Sequence, residues 1–137
     1  LGLQLHSMEV SSSDKYESAF KEAVKMHSSA VLMTQSTLGA ANSPRIIELA
    51  VKYRLPAIST RENYVTLGGL MSYGADDTEF YQRAAAIVDK ILKGAKPSDL
   101  PIEQPKKFEF IINLKAAKQI GLTIPPNVLA RADRVIR

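Results

Sequence analysis

The sequence predicts an α/β domain with a mainly parallel sheet. Short apolar runs of strand length alternate along the chain with segments whose apolar residues recur at helical spacing. Polar, glycine-containing or proline-containing stretches separate the two kinds of segment. This alternation is typical of domains in which helices flank a parallel sheet, and 137 residues suffice for one such domain with its own core.

Five apolar runs are predicted as strands. They are LGLQL (1–5), AVLMT (30–34), LPAIS (55–59), GGLMSY (68–73) and KFEFIIN (107–113). Pro56 stands near the start of its strand, where proline is tolerated. In the last strand, the alternation of Phe108 and Phe110 indicates one buried face.

Five segments between and after these runs are predicted as helices, at 14–29, 43–54, 76–94, 114–121 and 127–137. The stretch QSTLGAAN (35–42) is predicted as a loop, TRENYVTL (60–67) as a loop or short helix, and AKPSDLPIEQP (95–105) as an extended crossing segment.

Residues suited to helix ends support these assignments. Asp14 with Glu17 resembles a capping box at the first helix. Asp76 and Asn113 precede the third and fourth helices in the position of an N-terminal cap. Pro44, and the pair Pro125 and Pro126, suit first turns, where a missing N–H costs nothing.

Composition excludes several classes of protein. No stretch approaches the roughly 18 apolar residues of a membrane span, and the sequence has no cysteine for disulfides or zinc–thiolate sites. From residue 106 onward, seven Lys or Arg face two acids, so this tail carries +5. Because these charges are spread over a strand edge and two predicted helices, with no aromatic platform between them, a solvated face is favoured over nucleic-acid binding.

Catalytic signals are absent from the sequence. His6 and His27 are far apart and have no companion at metal-ligand spacing. The pair Gly68 and Gly69 precedes its strand, which is the wrong side for a dinucleotide turn. No phosphate loop follows any strand. The sequence therefore favours a protein without enzymatic activity and without a metal or organic cofactor.

Polar residues follow three of the predicted strands. They are Gln35, Ser36 and Thr37 after AVLMT, the loop 60–64 with Asn63 and Tyr64 after LPAIS, and Ser72, Tyr73 and Gly74 at the end of GGLMSY. Ligands of parallel α/β sheets bind beyond the carboxyl ends of the strands. The three loops hold hydroxyls, amides, one guanidinium group and two aromatic rings without an acid–base pair, and such groups suit binding rather than reaction. These eight residues are the predicted ligand site.

The second half of the sequence resembles a known family. GGLMSYGAD (68–76), followed by RAAAIVDKILKGAKPSDLPIEQPKKFEFIINLKAAKQIGLTIPPNVLARADRVIR (83–137), is similar to the C-terminal part of ABC-transporter substrate-binding proteins. The branch that it resembles includes aromatic-amino-acid (tryptophan/tyrosine-type) uptake proteins, related in fold to type I periplasmic binding proteins. The resemblance is dense from about Leu55 onward and looser before it.

The resemblance implies two flavodoxin-like lobes joined by a hinge, with a small solute enclosed between them. Residues 1–67 and 104–137 would form the second lobe, and 68–103 would cross to a first lobe that this sequence does not contain. The chain also begins in mid-strand, so we expect it to be a fragment of a two-lobed protein whose signal segment lies elsewhere. An extracytoplasmic location and a membrane permease as partner are implied with it.

One departure from the family pattern bears on the solute. Many members carry an acid and a proline where this sequence has Gln35 and Ser36, and an acid would be the natural partner of an amino group. The resemblance suggests an amino acid or an aromatic compound as solute, and branched or aromatic small acids remain open.

The helix at 77–93 carries a broad apolar stripe that its usual lobe would cover. We expect it to fold onto the sheet of its own lobe or to pack against a second copy in a homodimer, with exchange of segments as one form.

Two other functions remain open: a ligand-sensing domain of a signalling or transcription-regulatory protein, and a flavodoxin-like enzyme.

Overall fold

A computed structural model describes residues 2–137, apart from the side chain of Asp77. Its strands form one sheet in the order β1-β2-β3-β4-β5. The strands are β1 (Val31–Met33), β2 (Ala57–Ser59), β3 (Met71–Ala75), β4 (Phe108–Asn113) and β5 (Arg134–Ile136). The α-helices are α1 (Tyr16–Lys25), α2 (Thr37–Ala41), α3 (Ser43–Tyr53), α4 (Glu62–Thr66), α5 (Asp77–Leu92), α6 (Leu114–Gln119) and α7 (Pro126–Leu129).

The sheet is mainly parallel, which confirms the predicted fold class. β1 pairs with β2, β2 with β3 and β4 with β5 in parallel. β3 and β4 are the antiparallel pair, with Tyr73 opposite Phe110. Because β1, β2 and β3 run in the same direction, their carboxyl ends meet at one edge of the sheet.

Helices cover both faces of the sheet. On one face, Phe20 of α1 and Leu49 of α3 pack with Ile111 of β4 in a buried cluster. On the other face, Ala116 and Ala117 of α6 pack with Ile112 in a second cluster. The alternation of Ile111 and Ile112 between the two clusters follows from the two-residue period of a strand.

Two of the predicted N-terminal helix caps are confirmed, and the predicted capping box is not. Asp76 accepts backbone N–H groups at the start of α5, and Asn113 does so at the start of α6, as predicted. The proposed capping box is wrong, because α1 begins after a short 3₁₀ turn and no side chain caps it. Glu17 instead bonds Arg45 at 3.1 Å and Lys52 at 2.6 Å, which ties α1 to α3 and lowers the pKa of Glu17.

The predicted strand LGLQL is wrong for the part that lies within the described residues. Residues 2–10 have no regular secondary structure, and Leu1 lies outside the described residues. Gly2 has a φ of 64°, in the left-handed region that no strand uses. Leu3 and Leu5 are 76% and 85% exposed, so no helix layer covers them. Met8 and Val10 pack against the first cluster instead.

The predicted final helix is also wrong beyond its first turn. α7 ends at Leu129, and Arg134–Ile136 forms β5 alongside β4. Asp133 makes this strand possible, because its N–H donates to the carbonyl of Phe110 and its carboxylate accepts the N–H of Phe110 at 2.7 Å. Val135 and Ile136 are β-branched residues that suit a strand.

α5 does not pack on the sheet of its own lobe, so that part of the expectation is wrong. None of its described side chains is buried, and Phe80 and Val88 of the predicted apolar stripe are 56% and 53% exposed. Polar contacts attach its first turn instead. Asp76 bonds Lys107 at 2.7 Å, and Glu79 accepts the backbone N–H of Lys107 at 3.1 Å.

Candidate functional site

A hollow lies at the carboxyl ends of β1 and β2. It is a shallow depression that is open to solvent. Its lining is mostly hydroxyl, amide and small side chains: Met33, Thr34, Gln35, Ser36, Gly39, Ala40, Ser43, Ser59, Thr60, Arg61 and Asn63. A hollow in this position fits the rule that ligands of open α/β sheets bind beyond the carboxyl ends of the strands.

One wall of the hollow is the helical turn that follows β1. Ser36 caps α2 by accepting the N–H of Gly39 at 2.9 Å. Ser43, which is buried, donates its hydroxyl to the carbonyls of Gly39 and Ala40 and thereby joins α2 to α3. These bonds hold α2 as an ordered wall, where the sequence predicted only a loop.

The opposite wall is the loop that follows β2. The backbone N–H of Arg61 donates to the hydroxyl of Ser59 at 3.1 Å, which turns the chain at the end of the strand. Gly74 of β3 lies directly against this loop. A Cβ atom at Gly74 would stand 1.9 Å from the carbonyl oxygen of Thr60, so the loop can take this position only beside a glycine.

Arg61 is the sole residue of the lining with a formal charge. Its neighbour Glu62 turns away to pair with Arg134 at 2.5 Å. None of the ion pairs among the described residues includes Arg61, and its Nε is buried without a hydrogen-bond partner there. Arg61 therefore gives the lining one positively charged side chain, which makes no ion pair among the described residues.

Three of the eight predicted site residues line the hollow together. Gln35 and Ser36 stand on the β1 side, and Asn63 stands on the β2 side. Thr37 is exposed at the first position of α2, next to Ser36. The structure thus brings two of the three predicted loops to one place.

Tyr64 lies elsewhere, in the core. It is 1% exposed and belongs to the first buried cluster. Its ring packs so closely on Gly69 that a Cβ there would stand 2.2 Å from a ring carbon. Burial raises the pKa of Tyr64 to about 12, and its hydroxyl has no hydrogen-bond partner among the described residues. Because Asn63 and Tyr64 are consecutive in α4, they point in different directions.

The residues of the third loop do not line the hollow. Ser72 is buried in β3, in register with Ser59. Tyr73 points to the opposite face, where its exposed ring stacks on Phe108 at 5.7 Å and meets the edge of Phe110 at 6.3 Å. Gly74 contributes indirectly, because the absence of a Cβ there lets the backbone of Thr60 lie against β3.

Several lining residues were not among the eight predicted site residues. Thr60 and Arg61 lie in the loop that was selected, and Ser59 is the last residue of the strand before it. The guanidinium group of Arg61 was counted among the binding groups of that loop, but Arg61 was not selected as a site residue. Gly39 and Ala40 gave no signal, because the helix that carries them was predicted as a loop.

The lining suits binding by hydrogen bonds. The described residues contain no group of three or more His, Cys, Asp or Glu that could hold a metal ion. Within the same part of the chain, no helix has the length and apolar character needed to cross a membrane. The hollow offers hydroxyls and amides for a polar group, and the side chains of Met33 and Ala40 for an apolar body.

Comparisons with known proteins relate the chain to one family. The family model described as "ABC transporter substrate binding protein" matches residues 1–136. An uncharacterised protein of Rickettsia prowazekii is 33% identical over 63 residues, which are 46% of this chain and 21% of that protein.

Solved structures are similar over almost the whole chain. A conserved domain protein from Vibrio cholerae has a TM-score of 0.88 at 28% identity. The ABC domain from Streptococcus pneumoniae, solved in complex with L-Trp, has a TM-score of 0.85 at 27% identity. Each match covers 98% of this chain and 45% of the other, so the chain spans less than half the length of these proteins.

We predict that Tyr64→Phe stabilises the protein by roughly 1 kcal/mol, because it removes a buried hydroxyl without a partner. A tyrosine whose folded pKa is raised from 10.0 to about 12 binds its proton more tightly when folded. Stability is therefore lost as pH rises from 10 to 12. Urea denaturation across this range should show a smaller loss in the variant. A less stable variant with an unchanged alkaline slope would contradict the placement of Tyr64.

We predict that Gly74→Ala destabilises the protein by roughly 1–3 kcal/mol, because the new Cβ must displace the backbone of Thr60. Gly39→Ala is the comparison variant, since its Cβ would meet side-chain oxygens rather than backbone, at 3.0 Å from Ser36 and 3.9 Å from Tyr16. Chemical denaturation and amide NMR shifts of the loop after β2 measure the two effects. Equal stability of both variants would show that Gly74 does not position this loop.

Proposed function

Because the chain belongs to the ABC transporter substrate-binding protein family, we propose that it forms one lobe of a receptor that binds a small organic solute for a membrane permease. The observation that carries this proposal is the hollow shared by Gln35 and Asn63 at the ends of two parallel strands. A second lobe closing over this open hollow would enclose the solute.

The proposed mechanism is binding without catalysis. Gln35, Ser36 and Asn63 can each donate and accept hydrogen bonds, and no acid–base pair lines the hollow. Solute contact by Thr37, Ser72, Tyr73 and Gly74 stays a prediction, and Tyr64 supports the site from the core. Nucleic acid is not a partner in this proposal.

The lobe boundaries are part of the proposal. Residues 1–67 and 104–137 form the second lobe, and residues 68–103 cross to the first. Since β3 is paired on both sides within this sheet, the part of the crossing segment that leaves the lobe begins at Asp76. The exposed apolar face of α5 is the surface that would meet the first lobe.

The solute class follows from similarity alone at this stage. A structural neighbour at 27% identity was solved with L-Trp, which supports an amino acid or an aromatic compound. Proteins of this family work outside the cytoplasm, and the proposed location is therefore extracytoplasmic.

Solute binding is testable by thermal shift of the protein with both lobes against amino acids and small aromatic or branched acids. A ligand at 100 times its dissociation constant adds about 2.7 kcal/mol of stability. Asn63→Ala should weaken binding of the same ligand roughly two- to tenfold, through one lost hydrogen bond. Asn127→Ala, at an exposed position of α7, is the control. No shift with any of these compounds, or equal weakening by both variants, would contradict the proposal.

A second test concerns residues 1–137 without the other lobe. In this fragment the first lobe is absent, so the exposed apolar face of α5 packs against a second copy of the chain, with or without exchange of α5 between the copies. Sedimentation equilibrium should show a dimer that Phe80→Ser with Val88→Ser weakens. A strict monomer with a mobile α5 would contradict this dimer and leave solute binding unaffected.

A further inference from the structure

The hollow has a single charge, and this charge is positive. Apart from Arg61, its lining consists of uncharged side chains, with hydroxyls and amides from both walls. Arg61 lines the hollow, and its Nε is buried without a hydrogen-bond partner among the described residues. Removing this N–H from water without a compensating hydrogen bond is unfavourable. The two outer nitrogens of the guanidinium group are not among the buried, unpartnered atoms and make no ion pair within the described residues, so they remain available to a solute.

The nearby carboxylates do not neutralise Arg61. Glu62 is engaged by Arg134, and Glu17 is engaged by Arg45 and Lys52, at the two ends of α3. The loop of Arg61 is held in place by Ser59 and by the close approach of Gly74. The guanidinium group is therefore carried by a backbone that is already ordered before solute binds.

From these observations we propose that Arg61 binds a carboxylate of the solute, so that the receptor selects small organic acids. The inference rests on the proposed function, since it assigns the chemistry of the same hollow. A guanidinium group binds carboxylates through paired, charge-assisted N–H donors, and the outer nitrogens of Arg61 would supply them. Gln35, Ser36 and Asn63 hydrogen-bond the other polar atoms of the solute.

The charge of the hollow favours a carboxylate over other groups. One guanidinium balances one carboxylate, whereas a phosphate monoester carries a charge of about −1.5 to −2 and would remain underbalanced. This lobe offers no acid to an ammonium group within the hollow. An amine without an acid group would thus place two positive charges together, which is unfavourable.

The test uses the protein with both lobes and matched pairs of acid and amide. The probes are phenylacetate and phenylacetamide, benzoate and benzamide, and L-tryptophan and L-tryptophanamide, with phenyl phosphate added. Calorimetry should show binding of at least one acid, and its amide should bind at least tenfold more weakly, since a hydrogen bond to a charged group is lost.

Three variants then assign the effect to Arg61. Arg61→Gln should lower the affinity for the acid at least tenfold and abolish the preference for acid over amide. Arg61→Lys, which keeps the charge but not the planar fork, should retain an intermediate affinity. Arg131→Gln, at an exposed position outside the hollow, should bind as the parent does. Circular dichroism of each variant establishes that it is folded.

The outcomes separate the two proposals. If an acid binds but its amide binds equally well, or if Arg61→Gln leaves its affinity unchanged, solute binding stands and the role of Arg61 is overturned. Preferred binding of phenyl phosphate or of an amine would also overturn it. If no acid binds while the thermal-shift screen finds a solute without an acid group, solute binding stands and the role of Arg61 is overturned. If no compound binds in either experiment, the proposed function fails, and the inference fails with it.

Discussion

The parallel pairing of β1, β2 and β3 is the constraint on which the candidate site depends. It brings the carboxyl ends of the strands to one edge of the sheet, where the loops after β1 and β2 face each other across the hollow. The pairing alone would leave these loops loosely placed. The contact between Thr60 and Gly74 fixes the second loop against β3, and Ser36 and Ser43 fix the helical turn opposite.

The strands that form this edge were predictable from the sequence, because each is a short apolar run bounded by polar or turn-forming residues. AVLMT and LPAIS contain β1 and β2 as predicted. LGLQL has the same appearance, but a strand also needs a neighbour and a covering layer, and Leu3 and Leu5 have no cover. The segment at 134–136 was missed for the opposite reason. Its helical spacing is local, whereas its pairing with β4 depends on Asp133 contacting Phe110 from a distance in sequence.

For the site, as for the strands, the sequence predicted some residues correctly and not others. Position after a strand identified Gln35, Ser36 and Asn63, because the direction of a loop follows from the sheet. The direction of an individual side chain does not, and this is why Tyr64 enters the core and Tyr73 stacks on Phe108. Arg61 stands out only once its surroundings are known, since its unused Nε is a property of the packed structure.

A crystal structure of the protein with both lobes and a bound solute would test the central claim most directly. The account predicts the solute between the lobes, with its polar atoms within about 2.7–3.2 Å of Gln35, Asn63 and the guanidinium group of Arg61. A solute bound away from the ends of β1 and β2, with these three side chains facing solvent, would contradict it.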